Sequence, residues 1–157
     1  STIVSGIFSN KMESVNLINA EAVAKKKNIE IVTSYQSEAV NHEAEIYINI
    51  TTTNEEFSYA GTIFANSSRI ISIMNMRVEA EIKPNMLFIS NNDKPGFIGS
   101  LGTLLGDKKV NIASFYLGRT GSGEAVALLE LDQFLADDIV LSLVSLTNVK
   151  KVKVLKF

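Results

Sequence analysis

From residue 85 to the carboxyl end, strand-like and helix-like runs follow one another in an order that few folds accommodate. Residues 86–90 (Met-Leu-Phe-Ile-Ser) read as a strand, 95–106 as a helix, 110–117 as a strand and 120–123 (Thr-Gly-Ser-Gly) as a turn. A strand over 125–131, a helix over 135–145 and a strand over 149–157 complete the series. The order βαββαβ is the split βαβ arrangement of ferredoxin-like domains. In the second helix Ala136, Ile139, Val140 and Leu143 share one face, and Asp137 and Asp138 occupy the first turn, where the helix dipole favours acids.

The first half has a different texture. Seven of the nine glycines follow Lys83-Pro84-Asn85, and only Gly6 and Gly61 precede it. Residues 1–84 hold ten acids against seven bases, and residues 85–157 hold seven acids against eight bases. Two domains are expected, 1–84 and 85–157, giving an α+β chain. Ser14 is placed to cap a helix over 14–27 carrying Val15, Ile18, Ala22 and Ala24, with three lysines in its last turn. Residues 29–33, 45–51 and 57–64 alternate apolar and polar side chains with the period of half-buried strands. Two further strand-like runs, 69–73 and 76–82, flank Met74-Asn75, which reads as a hairpin closing a strand-rich layer.

Composition narrows the function. In 157 residues, apolar types make up 46% and charged types 20%, which suits a compact globule and argues against disorder. A net charge of −2 lacks the basic excess that nucleic-acid binding demands. No apolar run reaches the ~18 residues that span a bilayer, and the first residues do not resemble a secretion signal, so a cytoplasmic chain without a membrane partner is expected. With no cysteine and the single histidine His42, thiol nucleophiles, disulfide frameworks and zinc clusters lack their ligands. The start at Ser1 rather than Met suggests processing or derivation from something longer.

The segment richest in chemistry is 91–99, Asn-Asn-Asp-Lys-Pro-Gly-Phe-Ile-Gly, the junction from the first strand into the first helix of the second half. Pro95 suits a first helical turn and biases Lys94 toward an extended conformation, which stiffens the junction. Asp93 stands where a side-chain oxygen caps free backbone N–H groups. The N–H groups of Gly96, Phe97 and Ile98 can equally receive the carboxylate of a bound amino acid, with Asp93 pairing its ammonium. Both readings, a plain N-cap with Asn91 as a turn residue and a zwitterion site, fit the spacing.

Glycines 96, 99, 102 and 106 do not have the spacing of a dinucleotide fingerprint, and no acid follows in the required place. They gather on one side of the helix, open to a neighbouring backbone, while Ile98, Leu101, Leu104 and Leu105 are expected to cover the sheet. Asn111 opens the next strand, where an amide can close a loop or reach across an interface. Arg69, Arg77 and Lys83 lie on or beside the first-half hairpin and are candidates for an anion site, or simply solvated charges. His42 has no nucleophilic neighbour and reads as surface. The lysines of 150–156 read as the outer positions of a strand and would blunt an exposed edge.

Residues 91–106 with 110–119 (Val-Asn-Ile-Ala-Ser-Phe-Tyr-Leu-Gly-Arg) resemble the ACT domain that ends D-3-phosphoglycerate dehydrogenase, a likeness that spans about 85–157. Residues 1–84, with 15–20 (Val-Asn-Leu-Ile-Asn-Ala) and 68–73 (Ser-Arg-Ile-Ile-Ser-Ile), look like the intervening, allosteric substrate-binding domain of the long form of that enzyme. The resemblance implies a strand-rich intervening domain followed by a ferredoxin-like ACT domain. It further implies a regulatory fragment without a catalytic site or a cofactor of its own, from a parent that uses NAD. L-serine would bind between two ACT domains of a homo-oligomer as a feedback inhibitor, held by Asn91, Asp93 and, across the interface, Asn111. The intervening domain would take an anion, for which Arg69, Arg77 and Lys83 are the nominees. A purely assembling module with an empty pocket, or the regulatory half of an iron–sulfur L-serine dehydratase, would carry similar residues.

Overall fold

The structure, a computed structural model, describes residues 2–9, 12, 14–35 and 44–157. Its contacts divide the chain into two compact units, Ser1–Glu38 and Ala39–Phe157. His42 lies outside the described residues, so its expected surface position is not addressed.

The first unit is a pair of short helices in contact, α1 (Thr2–Ser9) and α2 (Ala20–Lys26). The helix expected over 14–27 therefore begins six residues late. Asparagine chemistry is the cause: Asn16 Oδ1 accepts the N–H groups of Ile18 and Asn19, and Asn19 Oδ1 accepts the N–H of Asn16 at 2.8 Å. Those bonds hold the segment in a turn and compete with helical bonding. The buried residues are consequently Val15, Ala20 and Ala24, while Ile18 stands in solvent. Asn28, left-handed at φ 57°, ends α2, and the Ile29 N–H closes on the Ala24 carbonyl at 3.0 Å, the Schellman pattern. The strand expected over 29–33 does not form. Its residues are irregular, exposed and without a ladder partner among the described residues, and alternation alone supplies no hydrogen bonds.

The second unit holds two four-stranded antiparallel sheets. The first is a meander of β1 (Glu45–Thr51), β2 (Glu56–Phe64), β3 (Ser67–Ile73) and β4 (Met76–Glu81). Its last two connections are two-residue turns with both residues left-handed: Ala65 (48°) with Asn66 (63°), and Met74 (51°) with Asn75 (61°). That geometry matches the twist of the flanking strands, and the hairpin expected at Met74-Asn75 is present. A bulge interrupts the β3–β4 ladder, with Glu79 at φ 51° as the extra residue.

The second sheet is built from β5 (Asn85–Asn92), β6 (Ile112–Arg119), β7 (Glu124–Leu131) and β8 (Val149–Lys156), in the order β6-β7-β5-β8. Helix α3 (Phe97–Asp107) joins β5 to β6, and α4 (Asp137–Val144) joins β7 to β8. This is the ferredoxin-like arrangement that the order of runs predicts, and the chain as a whole is α+β. Strands β5 and β7 are buried on both faces. Leu87, Ile89, Ala127 and Leu129 meet Phe97, Leu101 and Leu105 of α3 and Ile139 and Leu143 of α4. On the opposite face Met86, Val126 and Leu128 meet Ile73, Met76, Val78 and Ala80 of the β3–β4 hairpin. The β3–β4 hairpin thus covers the face of the second sheet that its own helices leave open.

One expected side-chain placement changes. Leu101 and Leu105 are fully buried and Leu104 partly so, but Ile98 is 54% exposed, and Phe97 fills the core position in its place. Phe97, Leu101 and Leu105 stand four residues apart and form one stripe of α3, and Ile98, about 100° round the helix from Phe97, falls at the edge of that stripe.

Candidate functional site

The junction after β5 opens into a cleft of about 360 Å³ lined by Asn91, Asp93, Lys94, Gly96, Ile98 and Arg119 together with Pro95, Phe97, Gly99 and Leu117. The strap is held in place by its backbone: the Asn92 N–H donates to the Asn148 carbonyl at 2.8 Å and the Asp93 N–H to the Gly123 carbonyl at 2.9 Å. Gly96 is the N-cap of α3, left-handed at φ 92°, so Pro95 precedes the helix instead of opening it. Only glycine takes that conformation without strain, which accounts for Gly96 where the chain turns from strap to helix. No side chain caps α3, so Asp93 is not the N-cap. The first N–H groups of α3 have no partner within the helix and give the cleft an electropositive wall.

Of the sequence candidates, Asn91, Asp93, Gly96, Phe97 and Ile98 come together here. Asn91 is 1% exposed; its Nδ2 donates to the Asn92 carbonyl at 2.9 Å, whereas its Oδ1 is buried without a hydrogen-bond partner. A buried acceptor left unpaired is costly, and a donor entering the cleft would relieve it. Asp93 keeps about a third of its side chain exposed, and the nearest cation is Arg119, with Nη1 3.6 Å from Oδ2.

Arg119, Leu117 and Lys94 were not nominated from the sequence. Strand register places the first two: Arg119 pairs with Ala125 on β7, and Ala125 pairs with Asn91 on β5. Arg119 thus sits two strands from Asn91, roughly 10 Å away at the usual strand spacing. Period two puts Arg119 and Leu117 on the same face as the start of α3. The strand order of a ferredoxin-like sheet was the signal that would have found them.

Asn111 lies elsewhere. It precedes β6 at the end opposite Arg119, roughly 20 Å or more along the strand, and its Nδ2 donates to Asp132 Oδ2 at 2.7 Å. It does not line the cleft of its own chain.

The three cations proposed for an anion do not converge. Arg69 pairs in register with Glu81, its guanidinium lies over the Phe64 ring at 5.7 Å, and its Nε is buried without a partner. Lys83 Nζ donates to Glu81 Oε1 at 2.9 Å. That bond holds the Glu81 carboxyl below its ordinary range and raises Lys83 above its own, with a hydrogen bond from Ser67 adding to the effect on Glu81. Arg77 stands near the Met74-Asn75 turn, at the other end of β4, and pairs with Glu79. Arg69 and Lys83 flank the single carboxylate of Glu81, and Arg77 pairs with Glu79 away from them, so the three do not gather at one point. Among the described residues no group of three or more metal-binding side chains occurs, and no helix is long and apolar enough to cross a membrane.

Fold and site together define an α+β chain whose ferredoxin-like half carries a small charged cleft at its first strand-to-helix junction. In comparison with known proteins, residues 1–74 match the model of the D-3-phosphoglycerate dehydrogenase intervening domain. D-3-phosphoglycerate dehydrogenase from Methanocaldococcus jannaschii is 34% identical over 90% of this chain, and the proteins of that name from Bacillus subtilis and Synechocystis sp. are each 29% identical, over 98% and 94%. The chain aligns with a C-terminal stretch of these enzymes and spans 27%, 30% and 27% of their respective lengths.

Proposed function

We propose that this chain is the regulatory region of a cytoplasmic D-3-phosphoglycerate dehydrogenase of serine biosynthesis. In this reading residues 1–84 form the intervening domain and residues 85–157 the ACT domain. The cleft of the ACT domain takes a small amino-acid effector, L-serine, where two copies meet, and hydride transfer with NAD belongs to the part of the parent enzyme outside this chain. The observation that carries the reading is the cleft's double complementarity. Asp93 and the orphaned Asn91 Oδ1 are acceptors for an ammonium group, and the first N–H groups of α3 are donors for a carboxylate. In this reading Asn111, at the far end of its own strand, serves the cleft of a second copy. The effector's charges, once desolvated between two copies, each find a partner. Feedback then follows from differential affinity, since an effector that binds one arrangement of the regulatory regions more tightly shifts the enzyme toward it.

Titration calorimetry with L-serine tests this. Saturable binding that Asp93→Ala abolishes, while light scattering shows the same oligomer, is the expected result. Absence of heat and of a thermal shift at millimolar serine overturns serine as the effector and leaves a module that serves assembly alone.

A further inference from the structure

Arg119 lies in the cleft but is not committed there. Its guanidinium makes no hydrogen bond among the described residues, its side chain is 63% exposed, and Asp93 at 3.6 Å is beyond hydrogen-bond reach. On the same face, Leu117 gives the cleft an apolar side, and the start of α3 brings N–H donors to it. Two acceptors, the Asp93 carboxylate and the buried Asn91 Oδ1, therefore share the cleft with two sets of free donors. A ligand bearing one charge would satisfy only half of them.

We propose that Arg119 is the residue that makes this cleft select a free carboxylate. On binding, the guanidinium leaves its loose contact with Asp93 and grips the ligand's α-carboxylate through two parallel N–H bonds, together with the first N–H groups of α3. Asp93 and Asn91 Oδ1 are then released to the ligand's ammonium. Each partner of the Arg119–Asp93 contact is exchanged for the ligand group of opposite charge. Planar, bidentate pairing is what distinguishes arginine from lysine at such a place. This inference rests on the reading of the cleft as an amino-acid site, and it adds which residue reads which end of the ligand.

The test compares L-serine with L-serinamide, which keeps the ammonium and hydroxyl groups but lacks the negative charge, by calorimetry on the full chain. The unaltered chain should prefer serine by at least about tenfold. Arg119→Gln should cut that preference several-fold by weakening serine alone, the N–H groups of α3 keeping the remainder, and Arg119→Lys should restore it only in part. Because Arg119 is exposed, both variants should melt within about 2 °C of the parent; should Arg119→Gln fail to fold, the partial preference of Arg119→Lys decides. A preference retained in full by the variants overturns the role of Arg119. Equal binding of both probes by the unaltered chain overturns carboxylate selection while sparing the site, and binding of neither overturns the amino-acid site itself and this inference with it.

Discussion

Gly118 of β6 and Val78 of β4 approach so closely that a methyl group on Gly118 would stand 2.8 Å from Val78 Cγ1 and 2.9 Å from the Arg77 carbonyl oxygen. Two strands from different sheets touch there through bare backbone. Gly118 immediately precedes Arg119 and, by alternation, faces away from the cleft. The contact with the first sheet therefore fixes the height at which β6 presents Arg119.

Gly118→Ala is accordingly expected to destabilise the chain by about 1–3 kcal/mol, because beside the Val78 methyl the obstructing atoms are the Arg77 carbonyl oxygen and, at 3.0 Å, Met76 Cβ, which cannot swing aside. Thermal melting reads this as a drop of roughly 2–4 °C per kcal/mol for a chain of this size. Gly121→Ala, with nothing within 4 Å of the added methyl, is the control and should melt as the parent does.

Leu101 and Ile98 lie three residues apart on α3 with opposite fates, the first fully buried and the second 54% exposed. Leu101→Ala should cost about 2–5 kcal/mol through lost burial and a cavity against the second sheet. Ile98→Ala should stay within about 0.5 kcal/mol in denaturant unfolding. Equal losses would place Ile98 in the core and contradict the helix phase described here.

That phase shows where the sequence was legible and where it was not. The series from β5 to β8 could be read because each strand and helix repeats its own period over several residues, and the Met74-Asn75 turn because its two residues sit between clean strands. Residues 14–27 hold helix-forming side chains along their length, but the reciprocal bonds of Asn16 and Asn19, which delay the helix to Ala20, are not visible in a propensity. Residues 29–33 alternate like a strand, yet being a strand depends on a neighbour that lies elsewhere in the chain. The cleft was half legible. Asn91, Asp93 and the start of α3 are contiguous in sequence, whereas Arg119 joins them only through the pairing of β6 with β7 and of β7 with β5.

At the Met74-Asn75 turn, both residues are left-handed, and the Asn75 side chain also accepts a hydrogen bond from Ser58 Oγ at 3.0 Å. Asn75→Ala loses that bond and places a Cβ where it is strained, so a loss of about 1–2 kcal/mol is expected. Asn75→Gly loses the bond alone and should fall between the parent and the alanine variant. Chemical denaturation of the three chains gives the order, and a glycine variant less stable than the alanine variant would contradict the turn geometry.

The Glu81–Lys83 bond sets a pH window. Lys83 holds the Glu81 carboxyl below its ordinary range, chiefly by donating a hydrogen bond, so near pH 4 the folded chain carries fewer protons at this site than the unfolded chain. The stabilisation from Glu81 is therefore complete above the ordinary glutamate value of about 4.3 and is lost as pH falls through the lowered folded value. Lys83 is raised by the same bond, so its share is present below the ordinary lysine value of about 10.4 and fades as pH rises through the raised folded value. Lys83→Met should return the Glu81 midpoint upward toward the ordinary range in a carboxyl NMR titration. It should also narrow the stability gap to the parent as the solution is acidified from pH 6 to below the parent's Glu81 midpoint. A Glu81 midpoint that does not move in the variant would mean that Ser67 and Arg69, not Lys83, hold the carboxylate.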